Sequence, residues 1–142
     1  MSVEMTKAEI TKLLNKKREG TLLLVDGERP YGIVCWYIFD GENIRIGIIP
    51  QGRKFTCIKR NAHAAFSVWD ADENGWCSVF IEGKIRQIRD IKELEESLKL
   101  ASDKYGVPQA YMDRQIAVTK EHPDKSMSFI IDTETIAGRK AG

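Results

Sequence analysis

The chain has 142 residues, a length typical of one compact domain, and 42% of them are apolar while 30% are charged. Its 22 basic and 21 acidic side chains nearly cancel, so no global field favours nucleic acid or an anionic membrane surface. No segment approaches the roughly 18 consecutive apolar residues of a membrane span. We therefore expect one soluble domain over residues 1–142, located in the cytoplasm, with neither a nucleic-acid nor a membrane partner.

The first predicted element is an amphipathic helix over residues 5–19. Ile10, Leu13 and Leu14 share one helical face, and lysines occupy the remaining positions. Thr6 followed by Glu9 has the spacing of a capping box, and Gly20 is the predicted stop. We expect this helix to cover one end of a sheet or barrel.

Five predicted strands follow, separated by turn residues. Asp26-Gly27 and Asp40-Gly41 each lie between β-rich segments, a pattern that predicts consecutive antiparallel hairpins. Gly83, inside the long fifth strand, predicts a bulge or bend of the kind that closes a sheet into a barrel. The predicted strands are Thr21–Val25, Tyr31–Phe39, Asn43–Ile49, Ala64–Asp70 and Trp76–Arg89.

The last third of the chain changes to helical spacing and then returns to a strand. Asp90 is a predicted cap and Gly106 a predicted stop for one helix, and a second, short helix is predicted from Pro108. A sixth strand is predicted over residues 126–132, beyond which the terminus is expected to fray. The fold predicted from these elements is a small antiparallel β-barrel with α-helices at one end and after the fifth strand.

The sequence offers little catalytic chemistry of its own. Cys35, Cys57 and Cys77 are widely spaced, and His63 and His122 lie far apart, so we expect neither a metal site nor a disulfide framework. No nucleophile motif or Gly-rich phosphate loop is present, so no catalytic residue can be named. If the protein is an enzyme, a cofactor is expected to supply the chemistry.

One short segment is a candidate anion site. In "PQGRKFTC", Gly52 allows the backbone to approach a ligand closely, and Arg53 and Lys54 follow at the predicted start of a helical turn. A guanidinium fork, an ammonium group and outward-pointing amides could together bind a phosphate. Taken alone, the same residues are better interpreted as a solvated basic turn.

The surrounding order of motifs resembles a known family. The "GRK" turn at 52–54, "KRNAHAAFSV" at 59–68 and "VFIEGKI" at 79–85 follow three predicted antiparallel strands. Together they resemble the pyridoxamine 5'-phosphate oxidase-like family of FMN-binding split β-barrels, over about half of the chain. The resemblance implies a mainly β fold, a six-stranded antiparallel Greek-key split barrel, and a homodimer with FMN at the subunit interface.

The resemblance also implies which residues contact FMN. Arg53 and Lys54 would bind the phosphate, and Ser78 on the fifth strand would touch the cofactor. The second strand would lie along the flavin and the end of the third would close on it. The implied contacts on these two strands are Ile33, Val34, Cys35, Trp36, Gly47, Ile48 and Ile49.

Two departures from the family pattern bear on the substrate. Tyr37 stands where the true oxidases have a lysine for the substrate phosphate, and the chain ends in "TIAGRKAG" instead of their tryptophan–arginine–leucine–proline motif. Pyridoxamine phosphate is therefore not the expected substrate. The leading hypothesis is an FMN-dependent oxidoreductase acting on another small molecule. The alternatives are a non-catalytic flavin carrier or sensor, a deazaflavin-using reductase of the same fold, and a flavin-free barrel that binds an oligonucleotide.

Overall fold

The computed structural model describes all 142 residues and contains seven strands, four α-helices and a short 3₁₀ helix. The strands are β1 Val3–Glu4, β2 Glu19–Asp26, β3 Arg29–Phe39, β4 Ile44–Gly47, β5 His63–Asp72, β6 Gly75–Gln87 and β7 Ser128–Ala141. The helices are α1 Lys7–Lys16, α2 Gly52–Arg60, α3 Ile91–Tyr105 and α4 Gln109–Glu121, and the 3₁₀ helix is Pro123–Lys125.

All strand pairs are antiparallel, and the sheet closes on itself. The strand order is β1-β7-β4-β3-β2-β5-β6, and an additional pairing of β6 with β7 completes a ring. The register between β6 and β7 shifts between Glu82 and Gly83, which confirms the predicted bulge. A Cβ at Gly83 would lie 2.1 Å from the carbonyl oxygen of Asp132, so the close approach of β7 requires glycine.

The barrel is split between β3 and β4. β4 pairs with β3 only from Tyr37 to Phe39, whereas β2 pairs with β3 along almost its whole length. From residue 29 to residue 36, β3 therefore pairs with β2 along one edge and has no neighbouring strand along the other. This gap positions the candidate site described below.

The interior of the ring is apolar and tightly filled. Leu22, Phe66, Ile81 and Phe129 are almost completely excluded from solvent, and Ile10, Leu13 and Leu14 of α1 join the same cluster. Helix α1 thus covers one end of the barrel, as predicted. Its capping box is present, with Thr6 and Glu9 bonded reciprocally. A smaller cluster, centred on Ile88 and Leu94, packs α3 and α4 outside the ring.

Two expectations about element boundaries were wrong. Helix α1 ends at Lys16 and not at Gly20. Gly20 instead lies buried in β2, where a Cβ would meet the Phe66 ring at 2.3 Å. The C-terminal residues Gly138–Lys140 do not fray, since they pair with both β6 and β1. The second helix predicted from Pro108 is confirmed as α4, Gln109–Glu121. The predicted cap at Asp90 and stop at Gly106 are confirmed.

None of the four helices is both long enough and apolar enough to cross a membrane. No group of three or more His, Cys, Asp or Glu side chains is placed to hold a metal ion. All three cysteines are free thiols.

Candidate functional site

The N-terminus of α2 presents unpaired hydrogen-bond donors to solvent. Gln51 is the N-cap but makes no side-chain cap bond, and the first turn contains no acidic residue. Gly52 adopts a positive φ of 83°, which favours glycine and turns the chain into the helix. The amides of Gly52, Arg53 and Lys54 precede the first helical hydrogen bond, and no acceptor in the chain bonds them. This end of the helix is suited to an anion.

Arg53 is held in place beside these amides. Its Nε donates to Oδ2 of Asp26 at 2.9 Å, its Nη2 lies 2.8 Å from the same oxygen, and its guanidinium carbon lies 3.9 Å from the centroid of the Tyr31 ring. Because the side chain is 56% exposed, the Nη1 donors remain open to a ligand. The sequence does not indicate this arrangement, because the Asp26-Gly27 pattern predicts a turn and not a partner for Arg53.

Lys54 is the second cation at the helix start, and it is exposed without an ion pair or side-chain hydrogen bond. Its charge acts on the thiol of Cys35, so the two groups are near one another. Burial raises the pKa of Cys35 to about 11, and the charge of Lys54 opposes this shift. The phosphate-binding candidates and β3 therefore belong to one region of the surface.

The β3 residues predicted to contact the cofactor lie along the unpaired edge of that strand. Tyr37 N–H donates to the carbonyl of Arg18 on the β2 side of β3. Because hydrogen-bonding directions alternate along a strand, the backbone groups of Trp36 and Val34 point to the opposite edge, where no strand pairs. Ile33 and Cys35 pack against the core, while the side chains of Val34 and Trp36 are 71% and 57% exposed.

The end of β4 lies across the same gap. Tyr37 pairs with Ile46, so Trp36 and Gly47 are the first residues at which β3 and β4 separate. Ile48 is buried in the barrel core, and Ile49 is 59% exposed. The chain then reaches Gly52 within three residues. The structure thus brings the β3 segment, the end of β4 and the start of α2 together around the split.

Ser78 is the exception among the predicted site residues. It lies on β6, which is separated from β3 by β2 and β5, a distance of three inter-strand spacings or roughly 14 Å. Its side chain points to the outer face of the sheet, opposite Trp69 on β5. Within one chain, Ser78 is not beside the split.

Ser78 shares that outer face with several exposed apolar side chains. Buried residues alternate with outward ones on β3, β2, β5 and β6, and register places Val34 beside Thr21, Ser67 and Phe80 in one row across the sheet. The large exposed apolar residues of this outer face are Val34, Trp36, Trp69, Trp76 and Phe80. Large exposed apolar side chains grouped on one face of a sheet are typical of an interface.

A second concave region adjoins the split. A cavity of about 270 Å³ lies between β3, β4, α3 and the start of β7, and Trp36 and Gly47 both line it. Tyr105, at the end of α3, stacks on Trp36 with a centroid distance of 4.8 Å and an interplanar angle of 14°. No local pattern indicates this contact, because Trp36 and Tyr105 are far apart along the chain.

Solved structures share this architecture. An FAD-binding protein from Mesorhizobium loti superposes with a TM-score of 0.76 and 20% identity, covering 100% of this chain and 98% of its own. A candidate 5-nitroimidazole antibiotic resistance protein from Bacteroides thetaiotaomicron gives 0.80 and 14%, covering 99% and 87%. An FAD-binding protein from Mycobacterium smegmatis gives 0.73 and 15%, covering 97% of each chain.

These similarities concern the fold, and they confirm the predicted split-barrel class. Among curated proteins, none matches the chain significantly in sequence. A family model described as pyridoxamine 5'-phosphate oxidase matches residues 6–140. The chain therefore belongs to the pyridoxamine 5'-phosphate oxidase family.

Proposed function

We propose that the protein is a flavoprotein that binds FMN, with the phosphate at the start of α2 and the flavin ring along the split between β3 and β4. The observation that carries this proposal is the set of three open amides, Gly52 to Lys54, beside two cationic side chains. A terminal phosphate carries a charge near −2 and three acceptor oxygens, which match these donors. Two structural neighbours are named as FAD-binding, so a flavin is the class of ligand to test first.

The geometry of the split suits a planar ring with hydrogen-bonding edges. The open backbone groups of Val34 and Trp36 would form hydrogen bonds with the polar edge of the ring. Ile33 and Cys35 would hold β3 in position by packing against the barrel core. Gly47 leaves free space beside the ring, because the nearest atom to a Cβ there is 3.8 Å away. Ile48 would act through its main chain, since its side chain is buried, and Ile49 could cover the ring with its exposed side chain.

The reaction we propose is an oxidation or reduction of a small molecule. A bound flavin would supply the hydride or electron chemistry, and the protein would bind the phosphate, orient the ring and exclude water. The thiol of Cys35 would remain protonated near neutral pH, because burial raises its pKa to about 11. We therefore assign no acid–base role to Cys35.

We further propose that the protein is a homodimer in which the outer apolar face is buried. Val34, Trp69 and Phe80 are 71%, 64% and 42% exposed on that face, and burying them would stabilise an association. In such a dimer, Ser78 of one chain could approach the flavin of the other. This would account for the distance of Ser78 from β3 within a single chain.

The decisive experiment is a flavin titration of wild-type protein and of R53A and K54A variants. FMN, FAD and riboflavin are compared by quenching of flavin fluorescence, and K59A, at the far end of α2, is the matched control. Each site substitution should weaken FMN binding by about tenfold or more, because a charge-assisted bond is worth roughly 1.5–3 kcal/mol. Riboflavin, which lacks the phosphate, should bind equally to all variants.

Two results would contradict the proposal. Wild-type protein that takes up no flavin would exclude flavin binding, and unchanged FMN affinity in both site variants would exclude the phosphate assignment. Tighter binding of FAD than of FMN would identify FAD as the cofactor, and the proposed phosphate site would still stand. Anaerobic reduction of the bound flavin by NAD(P)H or a reduced deazaflavin, followed by a screen of acceptors, separates an enzyme from a carrier.

A further inference from the structure

The cavity beside the split is lined mainly by apolar and aromatic side chains. Its volume is about 270 Å³, which suits a molecule smaller than a typical drug. The aromatic residues of the lining are Trp36, Tyr37, Tyr105, Tyr111 and Phe129. Trp36 and Tyr105 lie nearly parallel, with 14° between their ring planes. A lining of this composition favours a flat, largely apolar ligand.

Arg45 is the only charged residue in the lining, and the chain itself neutralises it. Its Nε donates to Oδ2 of Asp40 at 2.8 Å, and Nη2 lies 3.6 Å from a carboxylate oxygen of Glu96. Nη1 donates to Oγ of Ser97 at 2.7 Å and to the carbonyl oxygen of Glu93 at 3.3 Å. Two carboxylates therefore surround this one guanidinium group. The cavity offers no counterion to a charged ligand, and burying an unpaired charge in it would be unfavourable.

One buried polar group in the lining still lacks a hydrogen-bond acceptor. Ser97 is 5% exposed, and its oxygen accepts the bond from Arg45, but its own hydroxyl hydrogen has no acceptor in the chain. A buried donor without an acceptor is unfavourable, so an acceptor atom on a bound molecule would stabilise it. The indole N–H of Trp36 and the hydroxyl of Tyr111 line the same cavity and also form no hydrogen bond within the chain. The open polar groups named here are all neutral donors.

We propose that this cavity binds an uncharged, planar aromatic molecule that carries a carbonyl oxygen or an equivalent acceptor. Its ring would lie among the aromatic side chains, and its acceptor atom would take the hydrogen bond from Ser97. Trp36 and Gly47 belong both to this lining and to the split, so the molecule would lie next to the proposed flavin. The inference rests on the proposed function only in identifying this molecule as the reaction partner of the flavin.

A purely structural role for Ser97 is the competing explanation. Its oxygen accepts a bond from Arg45, which could do no more than hold α3 against β4. A cavity of that kind would take up apolar molecules without distinguishing a ketone from a hydrocarbon of the same shape. Three probes of nearly identical shape separate the two explanations: acetophenone is neutral with an acceptor, benzoate is charged, and ethylbenzene has no acceptor.

Binding is followed by NMR of the methionine methyl groups in wild-type protein without added flavin, because Met127 lines the cavity. Acetophenone should bind at least about tenfold tighter than benzoate and roughly fivefold tighter than ethylbenzene. S97A should remove the preference for acetophenone over ethylbenzene. A101L places a larger side chain in the lining and should abolish binding of all three probes. A117L, on the exposed side of α4 and outside the lining, is the matched control.

The outcomes separate this inference from the flavin proposal. A preference for acetophenone that depends on Ser97 supports the neutral site, whether or not the protein takes up FMN in a parallel titration. Benzoate or ethylbenzene binding as tightly as acetophenone, no shift of the Met127 methyl with any probe, or unchanged binding in A101L would overturn it, even in a protein that binds FMN. The comparison of probes in wild-type protein decides the matter even where S97A fails to fold, which circular dichroism establishes.

Discussion

Arg53 places both Nε and Nη2 on a single oxygen of Asp26, while its guanidinium group stacks on the Tyr31 ring. The pair fixes the plane of the guanidinium before any ligand arrives, and it also places a carboxylate beside the proposed phosphate site. These two effects of Asp26 oppose one another. Because both side chains are partly exposed, the ion pair itself adds little to stability.

Replacing Asp26 with Asn tests which effect prevails. The amide oxygen can still accept a bond from Arg53, whereas the negative charge next to the phosphate is lost. We expect FMN to bind roughly twofold to tenfold tighter, because D26N removes a unit negative charge that lies several ångströms from the phosphate in a largely hydrated setting. Riboflavin affinity should not change. Weaker FMN binding in D26N, measured by fluorescence quenching at low salt, would mean that orientation of Arg53 matters more than charge.

The features that could be predicted from the sequence are those encoded by neighbours along the chain. Thr6 and Glu9 form a capping box within four residues, and Gly106 ends α3 because its own φ of 74° is left-handed. Gly83 indicated the bulge by its residue type within a strand pattern, although the contact that requires glycine there is with the distant Asp132. The basic turn at Arg53 and Lys54 could be found because both cations are adjacent.

The features that could not be predicted depend on contacts between distant segments. Gly20 resembles a helix stop until the Phe66 ring is placed against it. The C-terminal residues lack a strong strand pattern, and pairing with β6 holds them in place. Lys104 is one lysine among many in a helical segment, and only the fold places it over Tyr37. A single sequence carries no signal for such pairs.

The bulge at Gly83 should be intolerant of any side chain. In G83A the new Cβ would lie 2.1 Å from the backbone oxygen of Asp132, so β6 and β7 would have to separate. We expect the free energy of unfolding to fall by about 1–3 kcal/mol, measured by urea denaturation. Gly32 is the matched control, because a Cβ there meets only a flexible Leu23 methyl at 3.1 Å. G32A should be close to neutral, and equal losses in the two variants would argue against a specific role for the bulge.

The proposed dimer interface can be tested by one charge on each face of the sheet. Phe80, on the outer apolar face, and Ile136, beside the inward-facing Ile81, are exposed to similar extents, 42% and 40%. F80E should dissociate the dimer, because an unpaired carboxylate would be buried in an apolar interface. I136E should leave it intact. The masses are measured by light scattering during size-exclusion chromatography, and a wild-type monomer or a dimeric F80E would refute this interface.

Cys35 provides a reporter of the phosphate site that requires no knowledge of the substrate. Burial raises its thiol pKa from 9.0 to about 11, and Lys54 opposes the shift. The neutral thiol is therefore the favoured form in the folded protein. Its contribution to stability is complete below pH 9 and is lost as the pH rises from 9 to about 11.

The corresponding measurement is the rate at which iodoacetamide modifies Cys35, followed by peptide mass spectrometry across this pH range. The rate should rise about tenfold per pH unit until the thiol titrates, because the thiolate is the nucleophile. Lys54→Ala should shift the inflection to higher pH, since a cation that stabilises the thiolate is removed. Adding FMN should shift it in the same direction by neutralising Lys54, or should block modification outright. An inflection near the ordinary thiol value, insensitive to Lys54, would place Cys35 in solvent and separate it from the phosphate site.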